Sequence, residues 1–86
     1  MALWRNGMST SKIKLNPLAT LVRVTANVLR VELADGREIS VPLNWFPRLR
    51  KATRSQRNKW RLIGGGVGIH WEDLDEDISV PALLMK

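Results

Sequence analysis

The sequence predicts a small single-domain α+β fold, and three observations carry that prediction. Apolar and polar residues alternate through about 20–43, an Asp-Gly pair interrupts that alternation, and proline and capping residues recur through about 44–60. With only 86 residues the chain has room for one modest core. We expect an antiparallel β-hairpin at about 20–43, a short broken helix at about 44–60, further short strands and a short C-terminal helical turn.

The alternating segment predicts the hairpin. Residues 21–25 are rich in β-branched side chains, and residues 28–33 and 38–42 place apolar side chains on one face. Asp35-Gly36 lies between the last two runs, and Asp-Gly between alternating strands is a strong hairpin signal because glycine accepts a positive φ. Pro42 has no N–H to donate and therefore ends the strand.

The next segment predicts helical turns with a break. Asn44 is the expected N-cap of the first turn, in which Pro47 is tolerated. A second start lies at Thr53, because Gln56 three residues later gives the spacing of a capping box. Trp45 and Trp60 are expected to be buried.

The C-terminal third predicts a glycine turn followed by strands. Gly64-Gly65-Gly66 and Gly68 indicate a tight turn, with a mobile loop that closes over a partner as the alternative. Residues 61–63, 69–71 and 78–80 are expected to be extended, and Pro81 suits the first turn of a terminal helix.

Charge is segregated along the chain. The net charge is +6, residues 48–61 contain seven cations and no acid, and residues 72–77 contain five acids and no cation. Residues 1–18 are expected to be a basic, poorly ordered leader before a domain at 19–86. The absence of cysteine fits a reducing compartment, and no apolar run approaches the ~20 residues of a membrane span. We therefore expect a cytoplasmic protein with no membrane partner.

Several motifs combine into a family resemblance. The chain resembles the small bacterial domain-of-unknown-function family 2442 through Leu33-Ala34-Asp35-Gly36-Arg37, Val41-Pro42-Leu43, Trp45-Phe46-Pro47-Arg48-Leu49, Gly64-Gly65-Gly66, Gly68-Ile69-His70-Trp71, and Leu74-Asp75-Glu76-Asp77-Ile78-Ser79-Val80. The resemblance covers about residues 20–84. It implies an α+β domain with a hairpin, helical turns and further extended segments.

The resemblance also bears on function. Some relatives resemble this domain joined to a helix-turn-helix module, and others stand beside small partner proteins in toxin–antitoxin-like pairs. The sequence shows no helix-turn-helix motif, which weakens the expectation that it reads DNA itself. Pro81 departs from the polar or acidic residue that the family pattern favours. The resemblance implies no catalytic residue.

Candidate chemical groups are few. His70 is the only histidine, and the sequence places no nucleophile beside it, so a structural hydrogen-bonding role is favoured over catalysis. Asp73, Asp75 and Asp77 alternate as in a calcium loop, but Ile78 and Leu84 stand where that loop needs glycine and glutamate. The glycine run lacks the Lys-Ser/Thr ending of a phosphate loop. We expect no metal, cofactor or small-molecule substrate.

These observations favour a non-enzymatic binding module that docks to another protein, as an antitoxin-like or accessory regulator. Opposite-charge patches favour steered association with such a partner. The alternative is direct nucleic-acid binding through a basic stripe at 48–61, where arginines recur at helical spacing. The third hypothesis is a small enzyme that uses His70. The candidate contact residues are Arg48, Arg50, Arg54, Arg57, Arg61, His70, Trp71, Glu72, Asp73 and Asp75.

Overall fold

The computed structural model describes residues 15–85. The predicted leader, 1–18, therefore lies largely outside the described residues and stays a prediction. Its last residues contact the hairpin: the Asn16 N–H donates to the Asp35 carboxylate at 2.9 Å, and the Leu18 carbonyl accepts from the Ala34 N–H at 2.8 Å.

The α+β prediction is confirmed. Strands form two three-stranded antiparallel sheets with the orders β1-β2-β3 and β4-β5-β6. The strands in residues 15–85 are β1 (Ala19–Val24), β2 (Val28–Leu33), β3 (Glu38–Pro42), β4 (Trp60–Ile63), β5 (Gly68–Trp71) and β6 (Glu76–Ser79). The α-helices are α1 (Pro47–Lys51), α2 (Arg54–Arg57) and α3 (Val80–Leu84), and 3-10 turns occupy Leu43–Trp45 and Glu72–Leu74. None of these helices has the length and apolar character needed to cross a membrane.

The first sheet follows the predicted alternation. Val22, Val31 and Ile39 pair across the three strands on the core side, while Arg30 and Ser40 share the outer face. The predicted Asp-Gly turn is present, with Gly36 at φ +96°. The β2–β3 register is therefore fixed both by the turn and by the buried face.

The helical segment is broken where Thr53 predicts it. The Gln56 N–H donates to the Thr53 hydroxyl at 3.1 Å, and the Thr53 N–H donates to the Gln56 side-chain oxygen at 2.9 Å, so both arms of the capping box form. The prediction that Asn44 caps the first helix is wrong. Asn44 lies inside a 3-10 turn, and Pro47 forces the preceding Phe46 out of helical geometry, so α1 begins after it.

One hydrophobic core joins both sheets and the helices. Trp71 lies at its centre with no exposed surface, and its indole N–H donates to the Arg57 carbonyl at 3.0 Å. The predicted burial of Trp45 is wrong, because 45% of it is exposed, whereas Trp60 packs half-buried against the core. The core residues are Ala19, Val22, Leu29, Val31, Leu33, Val41, Leu43, Leu49, Ile69, Trp71, Ile78, Val80 and Leu83.

The glycine turn at 64–67 fastens the second sheet to the first. The Gly66 carbonyl accepts from the Ala19 N–H at 2.9 Å, and the Val67 carbonyl accepts from the Val80 N–H at 2.9 Å. Gly66 has φ +117°, and a Cβ there would lie 2.5 Å from the Ala19 carbonyl oxygen. Only glycine fits this crossing point.

Candidate functional site

The outer face of the second sheet gathers the polar side chains of the C-terminal third. Arg61, His70 and Asp77 are cross-strand partners and form one row over β4, β5 and β6. The neighbouring row consists of Ile63, Gly68 and Ser79. Because alternate residues of a strand share a face, all six positions lie on the side opposite the core.

A groove opens on this face above Gly68. Its volume is about 300 Å³. Two aliphatic side chains beside it are exposed, Ile63 at 41% and Val67 at 48%. We call this feature the Gly68 groove; it is lined by Ile63, Gly64, Val67, Gly68, Ile69, Asp77, Ile78 and Ser79.

The groove exists because Gly68 has no side chain, although nothing in the fold requires glycine there. The φ angle of Gly68 lies outside the left-handed region. A Cβ at this position would meet the Ile78 carbonyl oxygen at 3.6 Å and the Ile63 Cβ at 3.7 Å, which are ordinary contacts. Gly68 therefore differs from Gly66, whose backbone and neighbours exclude a side chain.

His70 lies between two carboxylates beside the groove. Its Nδ1 contacts the Asp77 carboxylate, and its Nε2 lies 3.4 Å from Glu72 Oε1. The imidazole is 13% exposed, whereas the Asp77 and Glu72 side chains are 71% and 72% exposed. This arrangement holds the ring in place and leaves both carboxylates open to solvent.

The basic and acidic segments meet along one edge of this face. Arg48 donates to the Asp75 carbonyl at 2.8 Å and, more weakly, to the Leu74 carbonyl at 3.5 Å. Lys59 pairs with Asp73 and Arg61 pairs with Glu72, each at 3.4 Å. Two of the seven cations in residues 48–61 therefore pair with carboxylates of residues 72–77, and Arg48 contacts their backbone.

The predicted arginine stripe is wrong as a helical feature. The helix breaks between α1 and α2, and Arg61 lies on β4, so the four-residue spacing does not align these side chains. Arg57 points its guanidinium at the Leu49 and Arg50 carbonyls, at 2.9 and 2.6 Å. Among residues 15–85, no carboxylate pairs with the exposed Arg50, Lys51 or Arg54.

Similarity to other proteins identifies the family. The model of the family described as "Protein of unknown function (DUF2442)" matches residues 19–86. The chain belongs to DUF2442. A solved structure, a protein of unknown function from Rhodospirillum rubrum, is 30% identical with a TM-score of 0.68, and the match covers 79% of this chain and 84% of that one. No curated protein matches the chain.

The candidate residues occupy different places in this DUF2442 domain. Trp71 is part of the core with no exposed surface, on the same face of β5 as Ile69, and its contact with a partner stays a prediction. Arg57 stabilises the fold through its hydrogen bonds to the backbone of α1, as described above. His70, Glu72, Asp73 and Asp75 lie together on or beside the outer face of the second sheet. Among the described residues, no group of His, Asp or Glu side chains is arranged to hold a metal ion.

Sequence reasoning missed the groove-lining role of three DUF2442 residues. No pattern in the sequence distinguishes Ile63 or Val67 as groove residues, and Gly68 closely follows the glycine run of the turn. One signal was available: Gly68 begins the extended run of residues 68–71, and an isolated glycine in a strand often marks a close approach by another backbone or a ligand.

Proposed function

We propose that this protein is a non-enzymatic docking module that binds another protein through the outer face of its second sheet. The Gly68 groove carries the proposal. Glycine in the middle of a strand costs about 0.5–1 kcal/mol relative to alanine. Gly68, the first residue of β5, incurs up to that cost, and neither φ nor space demands glycine there. A binding role explains why the face is left hollow at a cost in stability.

The surroundings of the groove suit a protein partner. Exposed Ile63 and Val67 supply apolar contact, and Arg61, Glu72 and Asp77 supply a charged rim. Stable interfaces place apolar contacts at the centre and polar groups around them. They bury about 800 Å² per partner, so the groove would be the centre of a larger contact.

The test compares the native chain with Gly68→Val, which fills the groove with a residue that strands favour. Affinity capture from an extract of the cells that produce the protein, with quantitative mass spectrometry, identifies proteins that Gly68→Val no longer retains. Each is then purified and titrated by calorimetry. We expect Gly68→Val to weaken binding at least about tenfold, equivalent to 1.4 kcal/mol, while its thermal midpoint equals or exceeds the native one.

Ser40→Val is the matched control, because it adds the same side chain to an exposed strand position of the first sheet. It should leave binding unchanged. Equal capture by all three proteins would refute a docking role for the second sheet.

Nucleic-acid binding is a second candidate, supported by exposed Arg50, Lys51 and Arg54. Charge reversal of Arg50 and Arg54 tests it by fluorescence anisotropy with a 20-base-pair DNA duplex and a single-stranded RNA at low salt. Three phosphate contacts would give a log–log salt slope of about −2.7. Absence of binding by the native chain at low salt eliminates this candidate.

An enzyme that uses His70 has weaker support. In the described part of the chain the imidazole hydrogen-bonds to Asp77 and lies near Glu72, neither of which supplies a hydroxyl or thiol nucleophile. The antitoxin-like regulatory role and the cytoplasmic location implied by the resemblance and composition belong to the same docking proposal. Capture of a small partner protein as described above tests the regulatory role.

A further inference from the structure

We infer that the Gly68 groove binds an extended segment of a partner protein in which an aliphatic side chain stands two residues from a lysine or arginine. This inference rests on the proposed docking function and specifies the ligand of that site. Three features of the face carry it: the size of the groove, the charge at its rim and the spacing between the two.

The groove accepts an aliphatic group. At about 300 Å³ it lies at the small end of ligand pockets, which is ample room for a branched aliphatic side chain. Ile63 and Val67 border it, and the missing side chain of Gly68 leaves backbone as its floor. An aliphatic residue seated there would cover apolar surface that is now exposed to water.

The rim carries excess negative charge. Residues 72–77 hold five carboxylates, of which Glu72 and Asp73 pair with Arg61 and Lys59. The other three have no lysine or arginine partner among residues 15–85. Of these, Asp77 lies on the groove side of the sheet, in contact with His70, whereas the strand register places Glu76 on the core side. Asp77 lines the groove and is 71% exposed, so it offers a carboxylate to an incoming cation.

Strand geometry sets the spacing between the aliphatic residue and the cationic residue of the bound peptide. Gly68 and His70 lie two residues apart on β5, and Asp77 is the cross-strand partner of His70. Two residues of a strand span about 6.8 Å, and an extended peptide has the same repeat. A peptide that runs along β5 with its aliphatic residue in the groove therefore brings its second neighbour over His70, beside the Asp77 carboxylate on the adjacent strand. Arg61 occupies the far end of that row and is turned to Glu72, at 3.4 Å.

The experiment uses a phage-displayed library of random ten-residue peptides, selected on the native chain with counter-selection on Gly68→Val. We expect enriched peptides to carry a leucine, isoleucine or valine two positions from a lysine or arginine. The best peptide, synthesised with a fluorescent label, is titrated by anisotropy. Asp77→Asn should weaken it about three- to tenfold, as expected for one partly screened ion pair, and Gly68→Val should abolish binding.

Control variants distinguish a failure of this inference from a failure of the proposed docking function. Ser40→Val should bind the peptide like the native chain, and Asp77→Asn should keep the native thermal midpoint. Peptides that bind in the groove without a cation, or with no loss in Asp77→Asn, overturn the inference and leave docking intact. Failure to enrich any peptide on the native chain over Gly68→Val also overturns it, while the capture experiment with whole proteins judges the docking function independently. Direct binding of a labelled DNA duplex to the native chain that Gly68→Val abolishes would assign the groove to nucleic acid and overturn the inference.

Discussion

Arg57 joins three segments of the fold through its guanidinium group and its own carbonyl. The guanidinium donates to the Leu49 and Arg50 carbonyls at the end of α1, and the carbonyl accepts from the buried Trp71 indole. Carbonyls at a helix C-terminus lack intrahelical partners and carry partial negative charge, which a cation stabilises. The residue thus ties the broken helical segment to the second sheet.

Arg57→Ala should lower the free energy of unfolding by about 1.5–3 kcal/mol, because two hydrogen bonds from a charged group to the Leu49 and Arg50 carbonyls are lost. Urea denaturation followed by tryptophan fluorescence measures this. Arg54→Ala is the matched control: Arg54 is exposed on the same short helix, and its loss should cost less than about 0.5 kcal/mol. Equal effects of the two substitutions would show that Arg57 does not hold the fold.

Asp35 makes stability depend on pH in the acid range. The Arg37 side-chain hydrogen bond, helped by the Asn16 and Arg37 backbone N–H groups, lowers the pKa of the Asp35 carboxyl to about 2. The folded state therefore favours the ionised form. Its contribution to stability is complete above the ordinary pKa, near pH 4, and is lost as the pH falls through about 2.

The measurement is the difference in unfolding free energy between the native chain and Asp35→Asn, followed from pH 5 to pH 2. We expect this difference to shrink steadily below about pH 4. Arg37→Gln removes the main cause of the low pKa, so it should weaken the pH dependence. A difference that stays constant over the whole range would contradict this account.

At the scale of elements, the sequence predicts turns and helix caps correctly where residues close in the sequence determine them. The Asp35-Gly36 turn and the Thr53 capping box each depend on residues within four positions, and both form as predicted. The prediction of an arginine stripe was wrong because the capping box at Thr53 starts a new helix. Arginines before and after Thr53 therefore lie on different elements, and their sequence spacing does not place them on one helix face. The prediction that Asn44 caps the first helix was wrong because Pro47 keeps the residue before it, Phe46, out of helical geometry, so the helix begins after Phe46.

The site was only partly predictable. The sequence places His70, Trp71 and Glu72 among the candidate contact residues, but it does not show that β5 points Trp71 inward and His70 outward. That assignment depends on the register of β5 with β4 and β6, which pairs Trp71 with Trp60 and Glu76 on the core side. Likewise, Gly68 is distinguishable from Gly66 only when the neighbours of a hypothetical Cβ are known.

Charge becomes informative at the scale of the whole molecule. The sequence separates seven cations from five acids, whereas the fold brings part of each group together at Arg48, Lys59 and Arg61. Exposed ion pairs of this kind contribute about 0–1 kcal/mol each, so they serve the fold little. Within residues 15–85, Arg50, Lys51 and Arg54 have no carboxylate partner, and Asp75, Glu76 and Asp77 have no lysine or arginine partner.

The two sheets should unfold as one unit because the 64–67 turn is fastened to β1. Gly66→Ala places a Cβ 2.5 Å from the Ala19 carbonyl oxygen and 2.8 Å from its nitrogen at φ +117°, so we expect a loss of at least about 2 kcal/mol from strain and the broken contact. Gly65→Ala is the control, since its φ is also positive, at +71°, but no atom lies within 4 Å of its Cβ; it should cost about 1 kcal/mol. In both variants, far-ultraviolet circular dichroism and tryptophan fluorescence should report a single coincident transition. Two separate transitions, or equal losses in the two variants, would show that the sheets are not coupled through Gly66.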